Sequence, residues 1–353
     1  MIKRFFLLTI PSLLVFFLAF EIFLRLFVHV QEIPYAYFDS ENQILKYDVT
    51  KQREGIHSLG KLCTNPTTWR VNNMGWMSDI DYQITGRTKP LIVVIGDSFI
   101  EGFHVNPNQN VVSLLRQKLG GAYDVYGFGF DGANLVQYLN MARYVDKTFH
   151  SDFFIFNIIH NDFGFPCRVD QRDGMLCLER DGDNWKEAPI KPYRPQPLKE
   201  IFHQSSFFRY LLLNVNLEQL DQTLPRLGRI FKMRKKRQIS AVLPDYMRSG
   251  GDYVWHQISI LAKGRRVLMV MDAPRLELYS EAPPVGTCFK RSELNHLAAE
   301  LSEKYGFDHL DLIETFQNDF KKRGVRFEFP RDGHWNPEGH ALAAAAILEK
   351  IKK

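Results

Sequence analysis

The sequence predicts an α/β protein, with a parallel sheet covered by helices on both faces and a membrane-spanning helix in front of it. Two observations support this fold class. From residue 91 onward, short apolar runs alternate with amphipathic stretches, which is typical of parallel strands joined by crossover helices. Residues 5–20 form an uncharged apolar run directly after a basic pair. The composition suits a folded chain of 353 residues, since 24% of them are charged and 45% are hydrophobic.

The first element is a signal anchor, expected over residues 1–30. Lys3 and Arg4 precede the apolar run, and after Glu21 the chain is again mostly apolar up to Val30. As a helix the run is about 24 Å long, slightly less than the ~30 Å hydrocarbon core of a bilayer. Basic residues favour the cytoplasmic side, so we expect the rest of the chain in an extracytoplasmic compartment such as the bacterial periplasm. One alternative is a cleaved signal peptide, for which the end of the run makes a poor small-x-small site. The other is a buried soluble helix, which would carry more polar residues on one face.

The remaining chain divides into a lead-in and one domain. Residues 31–88 lack sustained periodicity, and we interpret them as a stalk and lead-in to a domain over 89–353. The alternation breaks at about 164–250, which we interpret as an insertion that contains a helical piece at 201–220. The short apolar runs predict strands at Leu91–Ile95, Asp124–Phe128, Phe153–Ile159, Arg266–Met271 and His309–Ile313. The helical period predicts helices at Asn110–Leu119, Leu135–Val145, Ser292–Lys304 and Pro337–Ile351.

Four cysteines are too few for a disulfide-built scaffold. In an oxidising compartment, Cys167 and Cys177 could close a small loop, and Cys63 with Cys288 is the other possible pair. Four independent thiols are the alternative. A zinc site is not expected, because the cysteines lack the close Cys and His spacing of zinc sites.

The net charge of +5 is too small to predict a nucleic-acid partner. Residues 226–237 hold seven basic side chains and no acidic one, so removing these seven charges leaves −2 for the rest of the chain. This basic run is interpreted either as a solvated helix face or as a contact for anionic lipid or an acidic glycan.

Polar side chains follow three of the predicted strands at the point where each strand ends. Ser98 follows the first strand on a sharp turn before a helix, where its hydroxyl would be exposed beside a helix N-terminus. Gly132 ends a glycine-rich turn after the second strand, and Asn161 follows the third. A plain capped turn, a tight turn and a polar loop are the respective alternatives. The glycine spacing also matches a dinucleotide motif, but no basic or P-loop feature accompanies it and no acidic residue follows on a strand about 20 residues later, so no nucleotide cofactor is expected.

A base and its carboxylate are expected near the C-terminus. Asp332 and His334 are two residues apart, so in extended backbone their side chains point to the same side. A serine nucleophile needs such a pair. His340 lies on the following helix, where a structural role is expected.

These four segments, in this order, resemble the motif blocks of the SGNH (GDSL) hydrolase superfamily. The resemblance covers residues 90–165 and 265–350 and implies a flavodoxin-like three-layer α/β/α fold. It further implies Ser98 as nucleophile, His334 as base and Asp332 behind it. The Ser98 amide, Gly132 and Asn161 would form the oxyanion hole. Neither a metal nor a cofactor is implied. The segment 70–75 also resembles a lead-in found in exported, membrane-anchored members.

Three positions depart from the family pattern. His160 stands where Gly is usual, Ile100 replaces a common Ser or Thr, and the last block is Asp-x-His rather than Asp-x-x-His. The shorter block, with Trp335 after it, is similar to that of proteins that O-acetylate alginate and related exported glycans. The direction of acyl transfer therefore stays open.

The leading expectation is a serine esterase that hydrolyses acyl, and in particular O-acetyl, esters on a cell-envelope glycan. The alternatives are an O-acetyltransferase that modifies an exported polysaccharide and a catalytically silent glycan-binding or assembly protein. Aromatic side chains in the insertion and just before it are candidates for stacking on sugar rings or for packing: Phe163, Phe165, Trp185 and Tyr193. Acyl chain length, polymer identity and oligomeric state are not predicted.

Overall fold

The structure is a computed structural model that describes residues 2–167, 172–195, 200, 203–215, 243–279, 291–330 and 332–352. Helix α1 occupies Ile2–Phe27. Its stretch from Leu8 to Phe27 is long and apolar enough to cross a membrane, a property shared by anchors and signal sequences, and very little of it is buried within the protein. This agrees with the predicted apolar element.

In the described residues, the central sheet has five parallel strands: β5 Leu91–Gly96, β6 Asp124–Gly129, β7 Phe153–Ile158, β10 Arg266–Met271 and β11 Asp308–Asp311. Their order in the sheet is β11–β10–β7–β5–β6. Numbered along the chain within this sheet, the order is 5-4-3-1-2, the flavodoxin-like arrangement that the resemblance implied. The strand predicted at His309–Ile313 extends two residues too far, since the observed strand ends at Asp311. There the Asp311 carboxylate accepts a hydrogen bond from the Ile313 backbone (2.8 Å), and a helix begins at Ile313.

Alternate side chains of β5 enter two separate hydrophobic cores, which makes the fold three-layered. Leu91, Val93 and Ile95 pack on one face, and Ile92 and Val94 on the other. Among the described residues, the first face is covered by α4 Leu135–Phe149, α6 Asp245–Ala262 and α8 Ser292–Tyr305. The second face is covered by α2 Ser98–Glu101, α3 Val111–Leu119, α9 Ile313–Arg323 and α10 Pro337–Lys352. The same part of the chain also forms α5 Ser206–Arg209 and α7 Arg275–Tyr279.

The interpretation of 31–88 as an irregular stalk is wrong. The segment forms two antiparallel hairpins that pack on the first core: β1 Ala36–Asp39 with β2 Ile44–Tyr47, and β3 Glu54–Leu59 with β4 Thr64–Arg70. Its side chains Ile44, Leu45 and Trp76 are completely buried. The strands have four to seven residues, which is too short for their alternation to stand out in the sequence.

Within 164–250, the described part contains a hairpin of β8 Leu178–Asp181 and β9 Asn184–Glu187. Cys167 and Cys177 form a disulfide beside it. Cys63 is a buried free thiol, whereas Cys288 and the basic run 226–237 lie outside the described residues. The expected helical piece is α5 followed by one π-helical turn, Tyr210–Asn214, and its outer parts are likewise not described.

Phe163 and Phe165 belong to the hydrophobic core and are not available for stacking on sugars. Both are completely buried, with Phe163 stacked against Trp255 of α6. Trp185 and Tyr193 are half-buried.

Candidate active site

Ser98 begins helix α2 directly after strand β5, at the carboxyl edge of the sheet. Asp97 caps this helix by accepting a hydrogen bond from the Phe99 backbone (3.0 Å), and Gly102 ends it in the left-handed region with φ of 74°. The helix is therefore a single turn, so the chain reverses sharply at Ser98. Its hydroxyl lies at the wall of a cavity of about 600 Å³.

His334 and Asp332 lie on the short strand β13, Asp332–Trp335, which pairs with β12, Glu328–Phe329. The Ser98 Oγ is 2.7 Å from His334 Nε2, and His334 Nδ1 is 2.6 Å from Asp332 Oδ1. Because the carboxylate can only accept, Nδ1 carries the proton, and Nε2 is left to accept the serine proton. Asp332 also accepts a hydrogen bond from the His334 backbone (2.9 Å), which fixes the extended geometry that the spacing predicted.

Asp332 is ionised at neutral pH. Burial alone raises the pKa of its carboxyl, but the hydrogen bonds from His334 and the charges of the two neighbouring imidazoles outweigh burial and hold this pKa below its usual range. An ionised carboxylate at this position stabilises an imidazolium on His334.

Two further histidines, His104 and His57, extend the site beyond His334 and line a cavity that also reaches Ser98. The His104 ring stacks on His334 with centroids 3.8 Å apart and planes 13° apart, and its Nε2 is 3.7 Å from Asp332 Oδ2. His57, from the N-terminal hairpin β3–β4, meets His104 edge-on at 4.5 Å. Sequence reasoning missed both, because neither lies in a motif block and the stack forms only when the hairpin packs on the domain.

Gly132 and Asn161 line the same cavity as Ser98 and His334. Gly132 has φ of 72°, and a Cβ there would meet open space, so glycine is required for backbone conformation only. Asn161 is exposed at the cavity wall after β7. All five residues expected in the site are therefore gathered at one edge of the sheet.

The departure at His160 has a structural explanation. This histidine is buried and donates from Nε2 to Asn295 Oδ1 of helix α8 (2.8 Å), while Asn295 itself bonds to Asp272 and Asp311. Burial lowers the pKa of His160, so it is neutral. It ties the loop that carries Asn161 to the helical layer.

Asp272 and Arg275, which the sequence analysis did not single out, hold the loop that carries His334. Arg275 bonds both oxygens of Asp272 (2.6 and 2.5 Å) and donates to the Gly333 carbonyl (2.6 Å). Trp335 donates from its indole to Asp272 as well (2.9 Å). Asp272 directly follows strand β10, so its position at the carboxyl edge of the sheet is the sequence feature that could have marked it as a site residue.

Two buried acids, Asp97 and Asp162, follow the strands β5 and β7 near the nucleophile. Burial raises the pKa of Asp97 to about 7. Burial, together with the charge of Asp97, also raises the pKa of Asp162, which accepts from the Tyr138 hydroxyl and the Ile159 backbone (2.7 Å each). Both carboxyls are held by hydrogen bonds, that of Asp97 to the Phe99 backbone and those of Asp162 to Tyr138 and Ile159.

Within the described residues, one group of side chains has the composition of a metal site: His104, Asp332 and His334, whose candidate ligand atoms lie within 4.8 Å of one another. The two imidazole planes are nearly parallel, so their in-plane lone pairs do not converge on one point. Nδ1 of His334 is also engaged with Asp332. The group therefore fits a hydrogen-bonded base better than a set of ligands.

Comparison with known proteins identifies the family of the chain. The family model of the GDSL-like lipase/acylhydrolases matches residues 92–347. A lipolytic protein of the G-D-S-L family from Veillonella parvula has 12% identity, with coverage of 75% of this chain and 99% of its own and a TM-score of 0.41. Est24, a carbohydrate acetylesterase from Sinorhizobium meliloti, has 14% identity, with coverage of 75% and 99% and a TM-score of 0.41. Comparison with curated proteins gives no match. Because the family model covers well over half of its length, the chain belongs to the GDSL-like lipase/acylhydrolase family and is an ester-bond hydrolase.

Proposed function

We propose that this protein is a membrane-anchored serine esterase in which Ser98 is the nucleophile, His334 the base and Asp332 its orienting carboxylate. His334 Nε2 takes the hydroxyl proton as Ser98 Oγ attacks the ester carbonyl. The same proton then passes to the departing alcohol, which leaves an acyl-serine. Water, deprotonated by His334, attacks this ester and releases the carboxylic acid. The single observation that carries the proposal is the continuous hydrogen-bonded chain Ser98–His334–Asp332.

The backbone amide of Ser98, the backbone of Gly132 and the Asn161 amide are proposed as oxyanion donors. All three residues line the same cavity. Loss of one such donor typically lowers kcat by about 10²–10³-fold, and we expect this for Asn161→Ala.

The assay uses the full-length protein in detergent and p-nitrophenyl acetate. Ser98→Ala is expected to abolish release of p-nitrophenol and labelling by a fluorophosphonate. Ser259→Ala, at a partly exposed serine on α6, is the matched control and should behave as wild type. Wild-type turnover by Ser98→Ala would refute the assignment. A wild-type protein that resists labelling would instead favour the catalytically silent glycan-binding alternative.

O-acetyl groups on a cell-envelope glycan are the proposed substrate class. The cavity beside Ser98 carries charged side chains from several segments, among them Asp131, Arg291 and Arg326. Such a lining suits a short acyl group on a polar alcohol better than a long acyl chain. We therefore expect kcat/KM to fall from the acetate through the butyrate to the octanoate ester of p-nitrophenol. An increase along this series would refute the substrate class.

A second candidate is O-acyl transfer to a polysaccharide hydroxyl, favoured by a second cavity. This cavity, of about 240 Å³, also reaches Ser98 and His334 and is bounded by His57, Glu101 and Arg172. An acceptor alcohol bound there could replace water in the second step. Incubation with an acetyl donor and a deacetylated glycan separates the two functions, because hydrolysis yields free acetate and transfer yields acetylated glycan.

Helix α1 is proposed to be a retained anchor with the catalytic domain outside the cytoplasm. The disulfide is typical of an oxidising compartment. In addition, Glu21 and Arg25 of α1 bond to the domain, which supports retention of the helix. An alkaline phosphatase fused after residue 353 should be active in a bacterial host and a green fluorescent protein fused there should be dark. The opposite pattern would refute this orientation.

A further inference from the structure

Helix α1 is tied to the domain by a charged residue in its apolar sequence. The carboxylate of Glu21 accepts hydrogen bonds from the backbone of Ser206 (2.9 Å) and Phe207 (2.7 Å) and from the Ser205 hydroxyl (2.9 Å). Arg25, one turn further along α1, pairs with it at 2.6 Å. These four partners are protein groups, and a charge within lipid needs such partners.

The depth of this contact follows from helix geometry. The stretch 8–27 has 20 residues and is about 30 Å long, which matches the hydrocarbon core of a bilayer. Glu21 lies six residues before Phe27, or about 9 Å from that end of the helix. Phe207 reaches deeper, because its ring contacts Phe17 and Phe20 with centroids 5.2 and 5.8 Å apart.

We call residues 205–215, which comprise α5 and the π-helical turn, the docking segment. Its polar side chains face the protein: Asn214 bonds to Ser58 (3.0 Å) and accepts from the Gln31 backbone (2.9 Å), and Tyr210 donates to the Lys61 carbonyl (3.0 Å).

On its outer side the docking segment exposes large apolar side chains. Phe208 is 39% exposed and Leu212 is 50% exposed, and they lie four residues apart. Helix α1, which the docking segment contacts through Phe207, likewise exposes Leu14 and Leu18 by more than 60%. An exposed apolar surface that packs beside a membrane helix, at the depth of that helix, is matched by lipid acyl chains.

We propose that the docking segment inserts into the bilayer beside α1 and seats the catalytic domain directly on the membrane surface. Gln31, Ile33 and Pro34, which line the second cavity, follow Phe27 by four to seven residues. At no more than about 3.6 Å per residue, they lie within roughly 25 Å of the end of the helix. This cavity therefore stays close to the bilayer. The inference rests on the proposed anchor and is independent of the proposed chemistry.

The test places one added tryptophan at a time in the full-length protein, reconstituted in phosphatidylcholine vesicles with or without bromine on the acyl chains. Phe208→Trp and Leu212→Trp are the test variants. Leu18→Trp on α1 is the membrane reference, and Ile260→Trp, exposed on α6, is the soluble-domain control. The signal is the added emission lost in brominated vesicles, relative to the parent protein.

We expect the emission added at 208 and 212 to be lost as it is at 18, while that at 260 is unchanged. Quenching at 18 without quenching at 208 and 212 would overturn the docking proposal and leave the anchor intact. Absence of quenching at 18 would overturn the anchor and the docking together. Because every substituted position is exposed, we expect the melting temperature of each variant to match that of the parent protein, and this measurement shows that the variant is folded.

Discussion

Gly129→Ala offers the sharpest test of how the fold positions the nucleophile. Gly129 ends strand β6 beside helix α2, and a Cβ there would lie 2.1 Å from the Glu101 nitrogen and 2.6 Å from the Ile100 carbonyl carbon. Both are backbone atoms, so no side chain can move aside. Reaching the 3.4 Å of ordinary contact requires α2 to shift by about 1.3 Å, and α2 carries Ser98.

A misplacement of about 1 Å can cost about 10²-fold in rate, so we expect kcat/KM for p-nitrophenyl acetate to fall by about that factor. Overpacking should also lower the free energy of unfolding by about 1–3 kcal/mol. Gly127→Ala is a graded comparison, since its Cβ would meet the Val112 side chain at 2.8 Å, which can adjust. Gly121→Ala, with open space at its Cβ, is the neutral control. If Gly129→Ala folds and retains the kcat/KM of Gly121→Ala, the reasoning is refuted.

Three further predictions concern the histidines and their carboxylate. Asp332→Asn should lower kcat by about 10³–10⁴-fold, because an amide no longer enforces the tautomer with the proton on Nδ1; a loss below tenfold would contradict that role. His104→Ala should lower kcat/KM, and His104→Phe should restore part of it by keeping the ring stack; equal losses would contradict stacking. Burial lowers the pKa of His57 to about 4, below the ~6.5 of the unfolded chain. Between these values the unfolded state binds this proton and the folded state does not, so the contribution of His57 to stability should fall with decreasing pH by up to about 1.4 kcal/mol per unit. His104, His309 and His340, whose pKa values burial also lowers, contribute with the same sign. Urea denaturation from pH 7.5 to 4.5 checks this, with His57→Phe as the variant that should reduce the slope by the share of this one group.

The sequence predicts the central sheet well because each of the strands β5 and β7 is buried along its whole length. A fully buried strand is a continuous apolar run, which is visible without any tertiary information. The candidate site residues Ser98, Asp332 and His334 could likewise be selected from the sequence, since their motifs come in a fixed order along the chain.

The parts that sequence reasoning missed depend on tertiary contacts. The hairpins of 31–88 are short and half-buried, so their strand period is too brief to recognise. His104 acquires its place only when the Thr67 hydroxyl bonds to the Phe103 carbonyl (2.7 Å) and Asn65 to the His104 carbonyl (3.2 Å). Both donors come from β4, more than 35 residues away in sequence.

The position of the β3–β4 hairpin also decides how far this enzyme can be truncated at its N-terminal side. The family match starts at residue 92, yet His57 and the bonds that hold the His104 loop come from residues before it. A fragment trimmed to the homologous region would remain recognisable as a family member and would lack one wall of the second cavity. A truncated form of the enzyme should therefore begin upstream of the hairpins, because the site depends on residues that precede the segment matched by the family model.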